Sequence, residues 1–350
     1  MTEPPAANRP VARASAGNDS RGISGWSGRA AALLWAALAT LGAGCVTNFL
    51  TTKQAADFDQ SVSAAATCLQ ASVAEVRGVE TDDAIDEFLA KGGFKLEDLS
   101  VEPRLSDKEA KAINGQFEFL ASYAAALKGL TSPPSTWSSN LSNLGTKGAQ
   151  AAGDAASLAA SQGLGILSAA DAKRMTSAAG SVSSAVAAAG QAAVTLYGED
   201  RAYQIAHGVD PDIQAYCSGL ENVLCRDPDS HEPATGLAAI LISDYEERLA
   251  TLRVVFSRLS PSEKAEAGQA GSFTDRRAVA AQYTALKEAE ADGVAKILAL
   301  RKAISQIASA HHAMAQRDDE GFKQRIAAAR DLIESLSGGH PAPSPGKPTG

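Results

Sequence analysis

From Val279 to Met314, apolar side chains recur at alternating spacings of four and three, in one register over about five heptads. The stripe is Val279, Tyr283, Leu286, Ile297, Leu300, Ile304, Ile307 and Met314. A helix returns residues so spaced to one face, and a helix with one apolar stripe must bury it against others. Glu290, Gly293 and His311 hold stripe positions without being large and apolar. The same rhythm runs through Phe58, Val62, Ala65, Leu69, Ser72 and Val76, and through Ile113, Phe117, Leu120, Ala124 and Leu127. It returns in Leu241, Tyr245, Leu249, Leu252, Phe256 and Leu259. These seams, at residues 52–77, 107–130, 237–259 and 274–316, predict an all-α protein: an elongated antiparallel helical bundle with long amphipathic helices.

Composition supports the same class. Alanine supplies 72 of 350 residues and aromatics only 5%, so helix propensity is high and close packing must come from small side chains. We find no convincing strand and no repeat of fixed period. Punctuation sets the boundaries. Ser106-Asp107-Lys108-Glu109 is a capping box, whose serine takes an amide at the helix start while the glutamate reaches back. Gly78 is read as ending the first helix, with a short polar helix, Asp82 to Lys91, after it. Pro133-Pro134 and the Ser- and Asn-rich residues around them predict a loop over 131–148. A last helix spans about Glu320 to Leu336. One bundle domain over 52–337 is expected, with 338–350 a disordered Pro/Gly tail.

Residues 149–207 form a small-residue region, read as an Ala/Gly/Ser-rich helical hairpin. Ala155 to Ala170 and Met175 to Gly198 carry no charge. Gly163-Leu164-Gly165 and Ser168 to Asp171 mark a break and a fresh cap, and Gly208-Val209-Asp210-Pro211 marks a restart. Two uses compete: a membrane-perturbing element over 149–198, or close packing inside the bundle. Larger apolar groups in the second run are few, only Met175, Val182, Val186, Val194, Leu196 and Tyr197, and serines dilute them, so hydrocarbon offers little gain. The Gly180, Ser184, Ala188 spacing suits close helix contact. Packing is the favoured reading.

At the other end of the chain, four arginines (Arg9, Arg13, Arg21, Arg29) precede the uncharged run Ala30 to Gly44, too short to span a bilayer and suited to a signal-peptide core. It ends in Leu41-Gly42-Ala43-Gly44-Cys45, which resembles the lipobox of bacterial lipoproteins. The large aliphatic residue stands four places before the cysteine, where the family usually has it at three. The resemblance covers only the first 45 residues. It implies that residues 1–44, whose first 28 read as disordered, are a removable signal, that Cys45 is acylated by fatty acid such as palmitate, and that 45–51 is an anchor linker. It also implies sorting: Val46 in place of an acidic residue allows transfer to the periplasmic face of the outer membrane, with the inner membrane as the alternative.

Three cysteines remain, Cys68, Cys217 and Cys225, and an exported protein offers them an oxidising compartment. Cys217 and Cys225 are about 12 Å apart along an unbroken helix, beyond the roughly 7 Å that a disulfide spans. They pair only if the helix breaks near Ser218-Gly219; otherwise Cys68 ties the first helix to this region. No His, Lys or Arg flanks Cys68 or Cys217 to activate a thiol.

Chemistry is sparse. His311 and His312 point about 100° apart on a helix and cannot together ligate one metal. His207 and His231 flank the cysteine helix and read as surface residues. Asp82-Asp83 with Asp86-Glu87, and Asp318-Asp319-Glu320, read as carboxylates near helix starts, facing the positive end of the dipole. We find no metal, cofactor or catalytic motif. A net charge of −8 implies no broad nucleic-acid-binding surface. Trp137, in the predicted loop, reads either as a contact point for a partner or as buried against the end of the bundle. The expected function is a lipid-anchored scaffold, adaptor or binding module with an envelope protein partner. A membrane-perturbing protein is the alternative, and an enzyme the weakest reading.

Overall fold

The computed structural model describes residues 50–92, 98–101, 103–132, 137–161, 165–191, 198–226, 235–259 and 273–337. Among them run eight α-helices and no strand. They are α1 (Thr52–Ala90), α2 (Asp107–Leu130), α3 (Trp137–Ala160), α4 (Ala169–Gln191), α5 (Gly198–Leu224), α6 (Leu237–Leu259), α7 (Phe273–Ala315) and α8 (Asp319–Ser337). The all-α bundle expected from the seams is the observed fold. Residues 1–44, Cys45, most of the linker, His231 and the tail 338–350 lie outside the described residues.

Contacts between helices resolve the bundle into two quartets. In one, α2 packs on α3, α3 on α4, α4 on α5, and α5 closes back on α2. In the other, α1 packs on α6, α6 on α7, α7 on α8, and α8 closes back on α1, with α1 also touching α7. The quartets join through α1 against α2 and α5 against α7. The centre of the molecule is therefore where α1, α2, α5 and α7 meet. Phe58, Val62, Leu69, Leu120, Tyr123, Leu127, Ile213, Tyr216, Ile304 and Ile307 are all at most 1% exposed in the continuous core.

Predicted boundaries held where caps were explicit. Ser106 is the N-cap of α2, with both arms of the capping box formed, and α6 spans the predicted 237–259. Four expectations are corrected. Gly78 does not end the first helix: α1 runs through it for 39 residues, because Val73, Val76 and Val79 continue one buried face across it. The predicted loop over 131–148 is mostly helix. Leu144, Ala151, Ala155 and Leu158 recur at spacings of seven, four and three and are buried, so packing overrides the Ser and Asn content. Pro211 starts no new helix but sits inside α5. Ala202, Ile205, Ala206 and Val209 before it and Ile213, Tyr216 and Leu220 after it lie in the same core, which offsets the hydrogen bond that the ring removes.

The fourth concerns the small-residue hairpin. α3 and α4 do pack together, but Gly180, Ser184 and Ala188 face outward. The inward face of α4 is Met175, Ala179, Val182 and Val186, each at most 1% exposed. Among the described residues no helix is long and apolar enough to cross a membrane.

The last helix returns to the first. Gln54 Nε2 donates to Asp319 Oδ1 at 2.9 Å, and Arg330 Nη2 donates to Asp57 Oδ1 at 2.9 Å while its Nε reaches Ser61 Oγ.

Candidate functional site

Three helices carry one polar side-chain array into the junction of the quartets, and a fourth packs an aromatic ring on it. Tyr123 from α2 and His311 from α7 are wholly buried, and Phe58 from α1 lies against the imidazole with ring centroids 5.8 Å apart. The Tyr123 hydroxyl is 2.7 Å from His311 Nε2. His311 Nδ1 is 2.9 Å from Asp210 Oδ1 on α5, and His312 Nδ1 is 2.6 Å from Asp210 Oδ2. Gln214, one turn along α5, donates from Nε2 to Asp210 Oδ1 and to the Ala308 carbonyl, linking α5 to α7 a second time.

The protons can be assigned. Burial pushes the Asp210 carboxyl up, but the hydrogen bonds from His311 and His312, the charge of His311 and the bond from Gln214 outweigh it, and the group titrates at about 2. An ionised carboxylate only accepts, so both Nδ1 atoms carry hydrogen and donate. Burial lowers the His311 pKa against the opposing pull of Asp210, so at neutral pH the ring is neutral, and its charge acts on Asp210 only in acid. Its Nε2 then has a lone pair and accepts from the Tyr123 hydroxyl. Burial, reinforced by the charge of Asp210, raises the Tyr123 phenol well above its ordinary range and keeps it protonated.

A second buried array supports the first. Tyr216 on α5 donates to both the carbonyl and Oε1 of Gln116 on α2, and Gln116 Nε2 donates to the Ala151 carbonyl on α3. At the end of α7, Tyr203 Oη and His207 Nδ1 both bond the Ala315 carbonyl, which has no intrahelical donor. Arg317, in the left-handed region with φ 60°, lies 4.0 Å over the Tyr203 ring and turns the chain into α8.

An oxygen–imidazole–carboxylate line is the arrangement of an acid–base relay. Here both ring nitrogens of His311 are engaged and neither Tyr123 nor His311 has exposed surface, so no reactant reaches them. What the array does is join α2, α5 and α7 in one register, since its hydrogen bonds cross from helix to helix between fixed partners.

The structure gives a definite place to the sequence-predicted residues it describes. Trp137 takes the buried alternative: it opens α3, is 8% exposed, donates from Nε1 to the Ser132 carbonyl and carries Arg201 over its ring. No disulfide joins Cys68, Cys217 or Cys225. α5 passes unbroken through Ser218-Gly219, which removes the break that a Cys217–Cys225 bridge requires. Burial raises the thiol pKa of Cys217, with Glu221 and Asp210 adding to it, and burial raises that of Cys68. His311 and His312 diverge as expected, yet each reaches one oxygen of the same carboxylate. Asp82-Asp83 and Asp86-Glu87 are not at a helix start but in the last turns of α1. Sequence reasoning missed Tyr123, Asp210, Gln116 and Tyr216. His311 had already signalled the site by breaking an apolar stripe.

An open groove of about 560 Å³ between α1, α2 and α3 is lined by mixed charge, with Arg77 paired to Asp107 at 2.5 Å and Lys147 paired to Glu118. Among the described residues no three His, Cys, Asp or Glu side chains are placed to hold a metal ion. Comparison with protein-family models, with curated proteins and with solved structures gives no match.

Proposed function

We propose that the chain is a lipid-anchored cell-envelope protein that works by contact, as a scaffold, adaptor or binding module on the periplasmic face of the outer membrane. The anchoring rests on the uncharged run Ala30 to Gly44 ending at Cys45. The non-catalytic reading rests above all on one observation: the groups best suited to acid–base or nucleophilic work, Tyr123, His311 and Cys217, are each 0% exposed. The hydrogen bonds of Tyr123 and His311 run between helices, which suits a rigid body presenting a surface.

Metabolic labelling with an alkyne fatty acid, comparing wild type with Cys45→Ser, tests the anchor. Label that vanishes in the variant is the expected result. Absence of label from both proteins overturns the anchor and with it the compartment. In vivo crosslinking of the labelled protein is then expected to yield one stable envelope partner.

A further inference from the structure

The last turns of α1, the segment before α2, and α6 enclose a group of carboxylates that the central array does not use. Asp244 on α6 has a side chain only 3% exposed, and Glu80 on α1 is 7% exposed. Two arginines stand close, but their guanidinium groups are directed to the rim. Arg248 donates to Asp86 Oδ2 and Asp82 Oδ2, each at 3.1 Å. Arg104 donates to Ser243 and Glu247 and reaches Asp244 only at 3.7 Å, through Oδ1. Glu80 Oε1 accepts the Leu105 amide at 2.8 Å. Left over, buried and without any hydrogen-bond donor, are Glu80 Oε2, Asp83 Oδ1 and Asp244 Oδ2.

A buried carboxylate oxygen without a donor is costly when ionised, and at Asp244 the charges of Glu80 and Asp83 add to that cost. Either a cation or a proton relieves them. No three such groups are placed for a metal ion among the described residues, so the ligand that fits is the proton. We propose that this cluster is a proton-operated clamp between α1 and α6, closed while Glu80, Asp83 and Asp244 carry protons and loosened when they lose them.

The surroundings set the working range. Burial, then the charge of Glu80 against that of Arg104, with Glu247 and Asp83 adding, raises Asp244 to about 7. Burial, then Glu247 and Glu87, against Arg248 and with Asp86, raises Asp83 to about 6. Burial raises Glu80 despite the Leu105 amide, Arg77 and Arg104, with Glu109 of α2 opposing them. On the α7 side, Lys296 engages Asp292 and Glu75 and is not directed into the cluster. Each folded-state value lies above the ordinary carboxyl range, so the folded state binds protons that the open state releases. The clamp therefore weakens as pH rises from about 4 to about 7 and is loosest above that. Through Arg104 and the Leu105 amide the cluster also holds the chain leading into α2.

The test is hydrogen exchange of the full-length chain at pH 5.5 and pH 8, each corrected for intrinsic exchange. Amides in 79–90 and 237–248 are expected to exchange about tenfold faster at pH 8, while those in 113–127 change little. Asp244→Asn, which cannot ionise, is expected to remove the difference. Asp83→Asn, at a more exposed position, is expected to reduce it and covers the case in which the first variant fails to fold. Equal corrected rates at both pH values in wild type overturn the clamp, as does an undiminished response in both variants.

Discussion

Tyr123 and His311, 188 positions apart in the chain, share a 2.7 Å hydrogen bond at the point where the two helix quartets meet. Neither has exposed surface, so water cannot substitute for the missing partner if one is removed. Tyr123→Phe keeps the ring and strands His311 Nε2. It is expected to lower unfolding free energy by about 1–3 kcal/mol in urea titrations. An unchanged midpoint would show that the array adds nothing to the junction.

Asp210 gives the fold an acid limit. Its folded-state pKa of about 2 lies below its ordinary 3.8, so its contribution is complete above about 4 and disappears as pH falls through about 2. Stability measured by urea from pH 5 down to pH 2 is expected to fall across that interval, and the fall attributable to this group is expected to be absent in Asp210→Asn. The sign is opposite to that of the α1–α6 carboxylates, which lose their contribution on the way up.

Two glycines are expected to respond in opposite senses to the same substitution. Gly78 lies inside α1, and a Cβ there meets nothing within 4 Å. Gly78→Ala should stabilise by about 0.5–1 kcal/mol, the ordinary gain of alanine over glycine in a helix. Gly236, just before α6, has φ +92°, and a Cβ there would lie 2.9 Å from the Leu224 carbonyl oxygen and 3.0 Å from that of Val223. Gly236→Ala is expected to cost about 1–3 kcal/mol. Thermal melts of the two variants check both signs.

Thiol reactivity should follow burial. Cys217 is wholly buried, with its thiol pKa raised, and Cys68 is half-buried. A maleimide pulse on the native protein is expected to modify Cys68 first and Cys217 only at the rate of global unfolding. Equal rates for the two would contradict the unbroken packing of α5.

The helices were legible wherever the stripe of large apolar residues was unbroken, as from Leu241 to Leu259, and most sharply where it met an explicit cap, as at Ser106. They were obscured where small or polar residues diluted the stripe. α3 keeps a helical spacing from Trp137 through Leu144 and Ala151 to Leu158, but serine, asparagine and glycine between them read locally as loop. Gly78 and Pro211 carry strong local stop signals, and burial on both sides of each outweighs them. The central array was half visible. His311 broke an apolar register, which marks a buried polar residue but says nothing of its partner. Asp210 belonged to an apparent turn, and Tyr123 lies one residue before Ala124 of the α2 seam. Only the juxtaposition of α2, α5 and α7 makes a unit of them. The carboxylates of α1 were seen as a run and misplaced, because ending the helix at Gly78 put them at the wrong pole of a helix dipole.

The closure of α8 onto α1 also imposes an order on biosynthesis. The quartet α2–α5 has all its members once Leu224 has been made. The first helix has three of its partners in α6, α7 and α8, and the bonds from Gln54 and Asp57 wait for Asp319 and Arg330. At ordinary elongation speeds that interval is on the order of tens of seconds. Throughout it the stripe from Phe58 to Val76 lacks much of its cover and stays open to water. Of the described helices, the last to be made is the one that completes the cover of α1.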